Sequence, residues 1–266
     1  MATRKRWIRQ LGKQIKTLNR TQRAARTSAD ERALHQLRIR LRSLRIQLVP
    51  VAKQGRLYRA REALSRVSDA SNMLRDRDVM LAIVAHWPDA YAAEAQQLIS
   101  GRPLDTRNAR RALTPPGWDA QISALPQLLR QHVPGHDELK RQMRHTARHF
   151  RRKARAQLQT LAPNCPADAW HRTRITLKKV RYLHEELGPW LPKRWRHLGK
   201  EAKPAQDALG HLHDLDMLHQ QFGASFSAAL NVFWQSQRAT ALIEAERSAT
   251  QILHALRGGK TSFEAQ

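Results

Sequence analysis

The residues best placed to do chemistry lie in residues 35–48, HQLRIRLRSLRIQL. With about 3.6 residues per helical turn, His35, Arg38, Arg42 and Arg45 share an arc of about 80°. Leu34, Leu37, Leu41, Leu44 and Leu48 occupy the adjoining arc. A cation on the far side of a helix from its apolar stripe is merely solvated. A cation bordering that stripe lines a groove beside a neighbouring helix, where several side chains aim charge at one ligand. The device returns in residues 170–187, WHRTRITLKKVRYLHEEL, where His171, Arg174, Lys178 and Arg181 repeat the offsets 136 residues later. Ile39 and Ile175 also correspond, and Lys179 adds a further cation to the second copy.

The chemistry these residues offer is anion binding. Arginine forks match phosphate oxygens bidentately, and lysine adds a mobile point charge. His35 and His171 have two readings, both open: donors to phosphate when protonated, or structural groups bonded to a partner helix. Neither has a metal ligand at +4. His145 and His149 do have that spacing, but Arg144 and Arg148 beside them repel a cation, so no metal site is assigned. No glycine-rich phosphate loop, Ser/His/Asp order or activated cysteine is present, so no catalytic residue and no cofactor is assigned. Asp76, Asp78, Asp214 and Asp216 sit among cations and are read as structural support for arginine side chains.

Further cationic stripes stand beside the histidine helices. Arg6, Arg9, Lys13, Lys16, Arg20 and Arg23 follow 3,4,3,4,3 spacing beside Ile8, Leu11, Ile15 and Leu18. Arg141, Arg144, Arg148, Arg151 and Arg155 repeat that spacing in the second half. No acid occurs before Asp30, and none from Leu139 to Ala167. A solvated helix normally mixes signs to gain i,i+4 pairs; these helices forgo them. The whole chain of 266 residues carries 48 Lys and Arg against 22 Asp and Glu, a formal net charge of +26. That self-repulsion is relieved by a polyanion. The single Cys165 excludes an intramolecular disulfide and a cysteine-cluster zinc site, and it fits a reducing compartment. No apolar run of about 18 residues predicts a membrane span, and no apolar signal core follows the basic start.

The elements that must position these residues are all helical, and no β-alternation appears. The periodicity predicts helices over residues 4–28, about 31 to Pro50, 55–87 and 90–99. Ser28 and Glu31 form a capping box at the second of these. Residues 101–137 read as a proline-punctuated connector with one short helix at 118–132. Helices then follow from 138, over 170–187, over 194–222 and over 224–257, with a tail at 258–266. The halves align in order: basic helix, His/Arg helix, then a helix with Asp-x-Asp. This implies an internal duplication, with a first repeat at about 1–100 and a second at about 138–257, and two pseudo-symmetric four-helix bundles.

Together HQLRIRLRSLR, RDRDV, HRTRITLKKVRY and LGHLHDLD resemble the CHAD family, the histidine-containing α-helical domain, over nearly the whole chain. The resemblance implies one CHAD-like domain over 1–266, with a basic groove that binds inorganic polyphosphate through both repeats. It implies a non-enzymatic protein of the cytoplasm associated with polyphosphate granules. The binding set is then Arg9, Lys13, Lys16, Arg20, His35, Arg38, Arg42, Arg45, Arg144, Arg148, Arg151, Arg155, His171, Arg174, Lys178, Lys179 and Arg181. Ser43 departs from the family's usual second cation. Two rivals stay open: nonspecific nucleic-acid binding, against which stands the lack of stacking aromatics in the stripes, and a phosphohydrolase or phosphotransferase using His35 or His171.

Overall fold

A computed structural model of the chain describes residues 2–27, 31–102 and 106–257. The Ser28 capping box and the tail from Gly258 lie outside the described residues. Ten α-helices carry the described chain: α1 (Ala2–Thr27), α2 (Glu31–Leu48), α3 (Gly55–Val84), α4 (Asp89–Gly101), α5 (Thr106–Arg111), α6 (Trp118–His132), α7 (His136–Gln159), α8 (Ala167–Leu187), α9 (Leu198–Phe222) and α10 (Ala228–Arg257). Short 3-10 turns occupy Gly188–Trp190, Lys193–Trp195 and Gly223–Ser225. No strand occurs among the described residues.

The structure corrects the periodicity at several places, among them the last helix, which starts at Ala228 rather than at 224. The connector holds two helices rather than one, because α5 forms over TRNARR. Among the described side chains of that run only Ala109 is buried, so the run offers no apolar period to read. Helix α3 stops at Val84, before Trp87, and α9 starts at Leu198 after its own 3-10 turn. Two prolines lie inside helices, Pro126 in α6 and Pro204 in α9. A proline's φ is already helical, and it removes one backbone bond. In α6 the buried Ile122, Leu125, Leu128 and Leu129 span that gap and hold the helix against its neighbours.

The chain divides into two compact units. The first comprises Met1–Asp76, Leu104–Thr146 and Pro189–Leu191, and the second Arg77–Pro103, Ala147–Gly188 and Pro192–Gln266. In the first unit α1 packs on α2, α5 and α6. The leucine stripe of α2 does what its spacing demands: Leu37, Leu41, Leu44 and Leu48 are buried, as are Leu11, Ile15 and Leu18 of α1. Each such leucine contributes about 1.5–3 kcal/mol of transfer free energy. Arg4 of α1 donates to the carbonyls of Arg130, Val133 and Pro134 at the end of α6.

In the second unit α9 packs on both α8 and α10, and α10 on α4. The core runs from Met80, Val84 and Trp87 through Trp170, Leu177 and Val180 to Leu209, Leu212, Leu215, Leu230 and Ile252. Gly199 lets α9 approach α8 closely: a Cβ there would stand 3.2 Å from Glu185 Cγ and 3.3 Å from the Arg181 carbonyl oxygen. Trp234 on α10 donates its indole N–H to the Leu215 carbonyl at 3.0 Å. These contacts fix α8 and α9, and thereby the cations they carry.

Candidate polyanion-binding site

The acid-free stripe of α1 faces solvent. Arg9, Lys13, Lys16 and Arg20 are exposed, while Trp7, Leu11, Ile15 and Leu18 between them are buried. No ion pair or hydrogen bond engages those four cations among the described residues. Arg148 and Arg155 of α7 are exposed in the same condition, and Arg144 is half-buried. Arg144 Nε is buried without a hydrogen-bond partner. Arg151 differs: it donates to the Leu256 carbonyl at 3.0 Å and lies 4.8 Å over the Trp195 ring. It caps α10 while keeping its charge.

On α2 the cations next to the leucine stripe are half-buried and reach α3. Arg38 Nη1 donates to the Ser71 carbonyl and to Asn72 Oδ1, each at 2.9 Å. Arg45 Nη1 donates to Ser68 Oγ at 2.6 Å. Burial presses the Arg45 guanidinium below its usual pKa, and the charge of Asp69 works against that. Arg42 is half-buried beside them. These guanidiniums brace α2 on α3 and so are held in fixed orientations, which limits the entropy a bound anion would cost. Ser43 accepts from Gln47 Nε2 at 3.0 Å, and Gln47 also reaches Gln14 of α1 at 3.0 Å. A polar clamp between α2 and α1 thus stands where the second copy has a lysine.

In the second unit His171, Arg174, Lys178 and Arg181 are all half-buried on α8. Arg174 lies over α9, its Nε 3.6 Å from where a Cβ on Gly210 would stand. Lys179 is exposed, its ammonium 5.2 Å over the Phe150 ring of α7. Arg181 is committed to acids: Nε donates to Glu185 at 2.8 Å, with Asp207 at 3.9 Å. Asp216 holds Arg238 of α10 at 2.6 Å, with side chains 16% and 28% exposed. That arginine lies outside the stripes. Asp76 and Asp78 are exposed and Asp214 is half-buried.

The two histidines of the repeat stand in different surroundings. His35 is exposed, and no hydrogen bond engages it among the described residues. His171 Nδ1 lies 3.1 Å from His213 Nδ1, with ring centroids 4.1 Å apart. One ring donates its N–H and the other accepts, so at least the accepting ring is neutral. Burial, then Arg174 and Lys178, push His171 below the ordinary histidine pKa. Burial and Arg174 push His213 down to about 4. Sequence reasoning did not single out His213. Its signal was the contrast between HDLD at residues 213–216 and RDRD at 75–78: the first repeat carries Arg75 where the second carries His213. His35 therefore lacks the partner that His171 has.

Among the described residues no group of three or more His, Cys, Asp or Glu side chains is arranged to hold a metal ion. No helix among them is long and apolar enough to cross a membrane.

Comparison with known proteins places these features in a family. The family model described as the CHAD domain matches residues 9–222. A solved structure, the crystal structure of the CHAD domain from the plant Ricinus communis, superposes with a TM-score of 0.67 at 22% identity. The match covers 94% of this chain and 90% of the plant one. At that identity it shows a shared fold. A search of curated proteins finds no match.

Proposed function

The chain belongs to the CHAD domain family, and on that premise we propose that it binds inorganic polyphosphate through the cationic stripes of both repeats without turning it over. The observation that carries the reading is the run Arg9, Lys13, Lys16 and Arg20 of α1 together with Arg148 and Arg155 of α7: cations at helical spacing, exposed, and engaged by no ion pair or hydrogen bond among the described residues, whereas Arg141 pairs with Glu138 and Arg151 with the end of α10. Such charge costs folding free energy through self-repulsion, and a linear polyanion recovers it. The half-buried Arg38, Arg42, Arg174 and Lys178 supply oriented contacts beside these mobile ones. Asp76 and Asp214 belong to the same arrangement as positioning groups for arginine. The protein acts in the cytoplasm, at polyphosphate granules.

Polyphosphate is favoured over nucleic acid because the exposed cations of α1 stand without an exposed aromatic ring on which bases would stack, Trp7 being buried. In competition at physiological salt, long-chain polyphosphate displaces duplex DNA of equal charge, and its affinity falls steeply as salt rises. DNA winning that competition would overturn the reading. Incubation with polyphosphate and Mg²⁺ or Mn²⁺ releases no phosphate; turnover lost in His171→Ala would make the protein an enzyme instead.

A further inference from the structure

Apart from the stripes, the first unit contains an open cavity of about 540 Å³, lined by Arg26 of α1, by Arg107, Arg110 and Arg111 of α5, and by Thr114. Its walls are pinned. Arg110 Nη1 donates to the Ala25 carbonyl at 3.4 Å, tying α5 to the last turns of α1. The buried Gln22 donates through Nε2 to the Leu113 carbonyl at 2.8 Å and to Thr114 Oγ1 at 2.6 Å. Thr114 is the acceptor in that bond, so its own hydroxyl hydrogen is left to donate. Arg26, Arg107 and Arg111 are exposed, and no ion pair or hydrogen bond engages them among the described residues.

Helix ends explain part of this cluster. Arg26 sits in the last turn of α1, and Arg110 and Arg111 sit in the last turn of α5, where cations suit the carbonyl end. That account does not reach Arg107, which lies in the first turn of α5, nor the convergence of all four on one cavity. A cavity with cationic walls, a free hydroxyl donor and no acid among the described residues of its lining selects a compact, multiply charged anion over a neutral ligand.

We propose that this cavity is a second anion site, separate from the stripes, which takes a short run of condensed phosphate. Arg26, Arg107 and Arg111 supply the charge, Thr114 supplies a hydroxyl donor, and Arg110 positions α5. The choice of condensed phosphate rests on the function proposed above; the anion site itself rests on the cavity.

Tripolyphosphate titrated into the full chain by calorimetry tests it. The wild type binds, Arg107→Gln plus Arg111→Gln weakens binding at least about tenfold, and Arg247→Gln plus Arg257→Gln, two exposed arginines of α10 outside both sites, leaves it unchanged. Circular dichroism confirms folding; both substituted arginines are exposed, and Gln22 and Arg110 stay in place. An unchanged tripolyphosphate affinity in Arg107→Gln plus Arg111→Gln overturns the proposal. Long-chain polyphosphate with free or chemically blocked ends identifies the source. If the site takes chain ends, the double variant weakens only the free-ended polymer; if it takes free short chains, neither polymer changes. Should tripolyphosphate bind at this cavity while long chains fail to bind the protein at all, the cavity stands and the function proposed above falls.

Discussion

Arg174→Glu plus Lys178→Glu weakens long-chain polyphosphate binding by about 100-fold at physiological salt. Each reversal replaces an attraction with a repulsion at one place, on side chains that are half-buried and therefore less screened than the exposed cations of α1. About 1.4 kcal/mol per reversed residue is a modest demand beside the 2–5 kcal/mol seen when one partner of a buried charge pair is removed. Two such steps make a hundredfold change. Arg38→Glu plus Arg42→Glu has the smaller effect, about tenfold, because Ser43 and its clamp to Gln47 replace a cation in that repeat. The control is Arg247→Glu plus Arg257→Glu, two exposed arginines of α10 with the same change in net charge. Arg238 is unsuitable there, since its reversal would set a carboxylate against Asp216 at 2.6 Å in a half-buried pair, whereas Arg247 meets Glu244 only at 4.0 Å in solvent. Fluorescence anisotropy with labelled polyphosphate reads the affinities, and circular dichroism checks folding, which matters for Arg38 because it braces α3. Equal losses in all three variants would show that binding follows net charge alone.

The second large effect is on stability. His184 is 2% exposed within the second unit. Its Nδ1–H donates to the Val180 carbonyl at 2.6 Å, and its Nε2 is buried without a partner. Burial first, then the neighbouring Arg151 and His197, lower its pKa to about 4 from the ordinary 6.5. The unfolded chain therefore binds a proton that the folded chain refuses between these values. Stability contributed by neutral His184 is fully present above pH 6.5, falls as pH drops through the window, and stops falling below about 4. The loss is of the order of 3 kcal/mol, from about 1.4 kcal/mol per pKa unit. Burial lowers His213 in the same sense, with less weight because that ring is half-exposed. Urea unfolding at pH 7, 5.5 and 4 measures the slope. His184→Leu flattens it; an unchanged slope in that variant would assign the acid sensitivity to other groups.

Periodicity made most of the fold legible. An apolar stripe of five leucines reads as a buried helix face; Leu37, Leu41, Leu44 and Leu48 are buried and Leu34, in the first turn, is half-buried. What escaped was local. TRNARR is too short and too charged to announce α5, so the arginines of its cavity were invisible. Pairings across elements escaped for a different reason. That Asp216 meets Arg238, or His171 meets His213, depends on how α8, α9 and α10 pack, which no spacing along one helix encodes. The repeat itself held the clue to His213, in HDLD set against RDRD.

The unpaired cations of α1 and α7 give dissolved salt two opposed jobs. Without ligand, added ions screen the mutual repulsion along each stripe and raise the melting temperature. With polyphosphate bound, the same ions compete with the polymer and erode the stabilisation that ligand linkage provides. The two melting curves, plotted against ionic strength, therefore converge from above and below. Where they meet, the polymer no longer protects the fold.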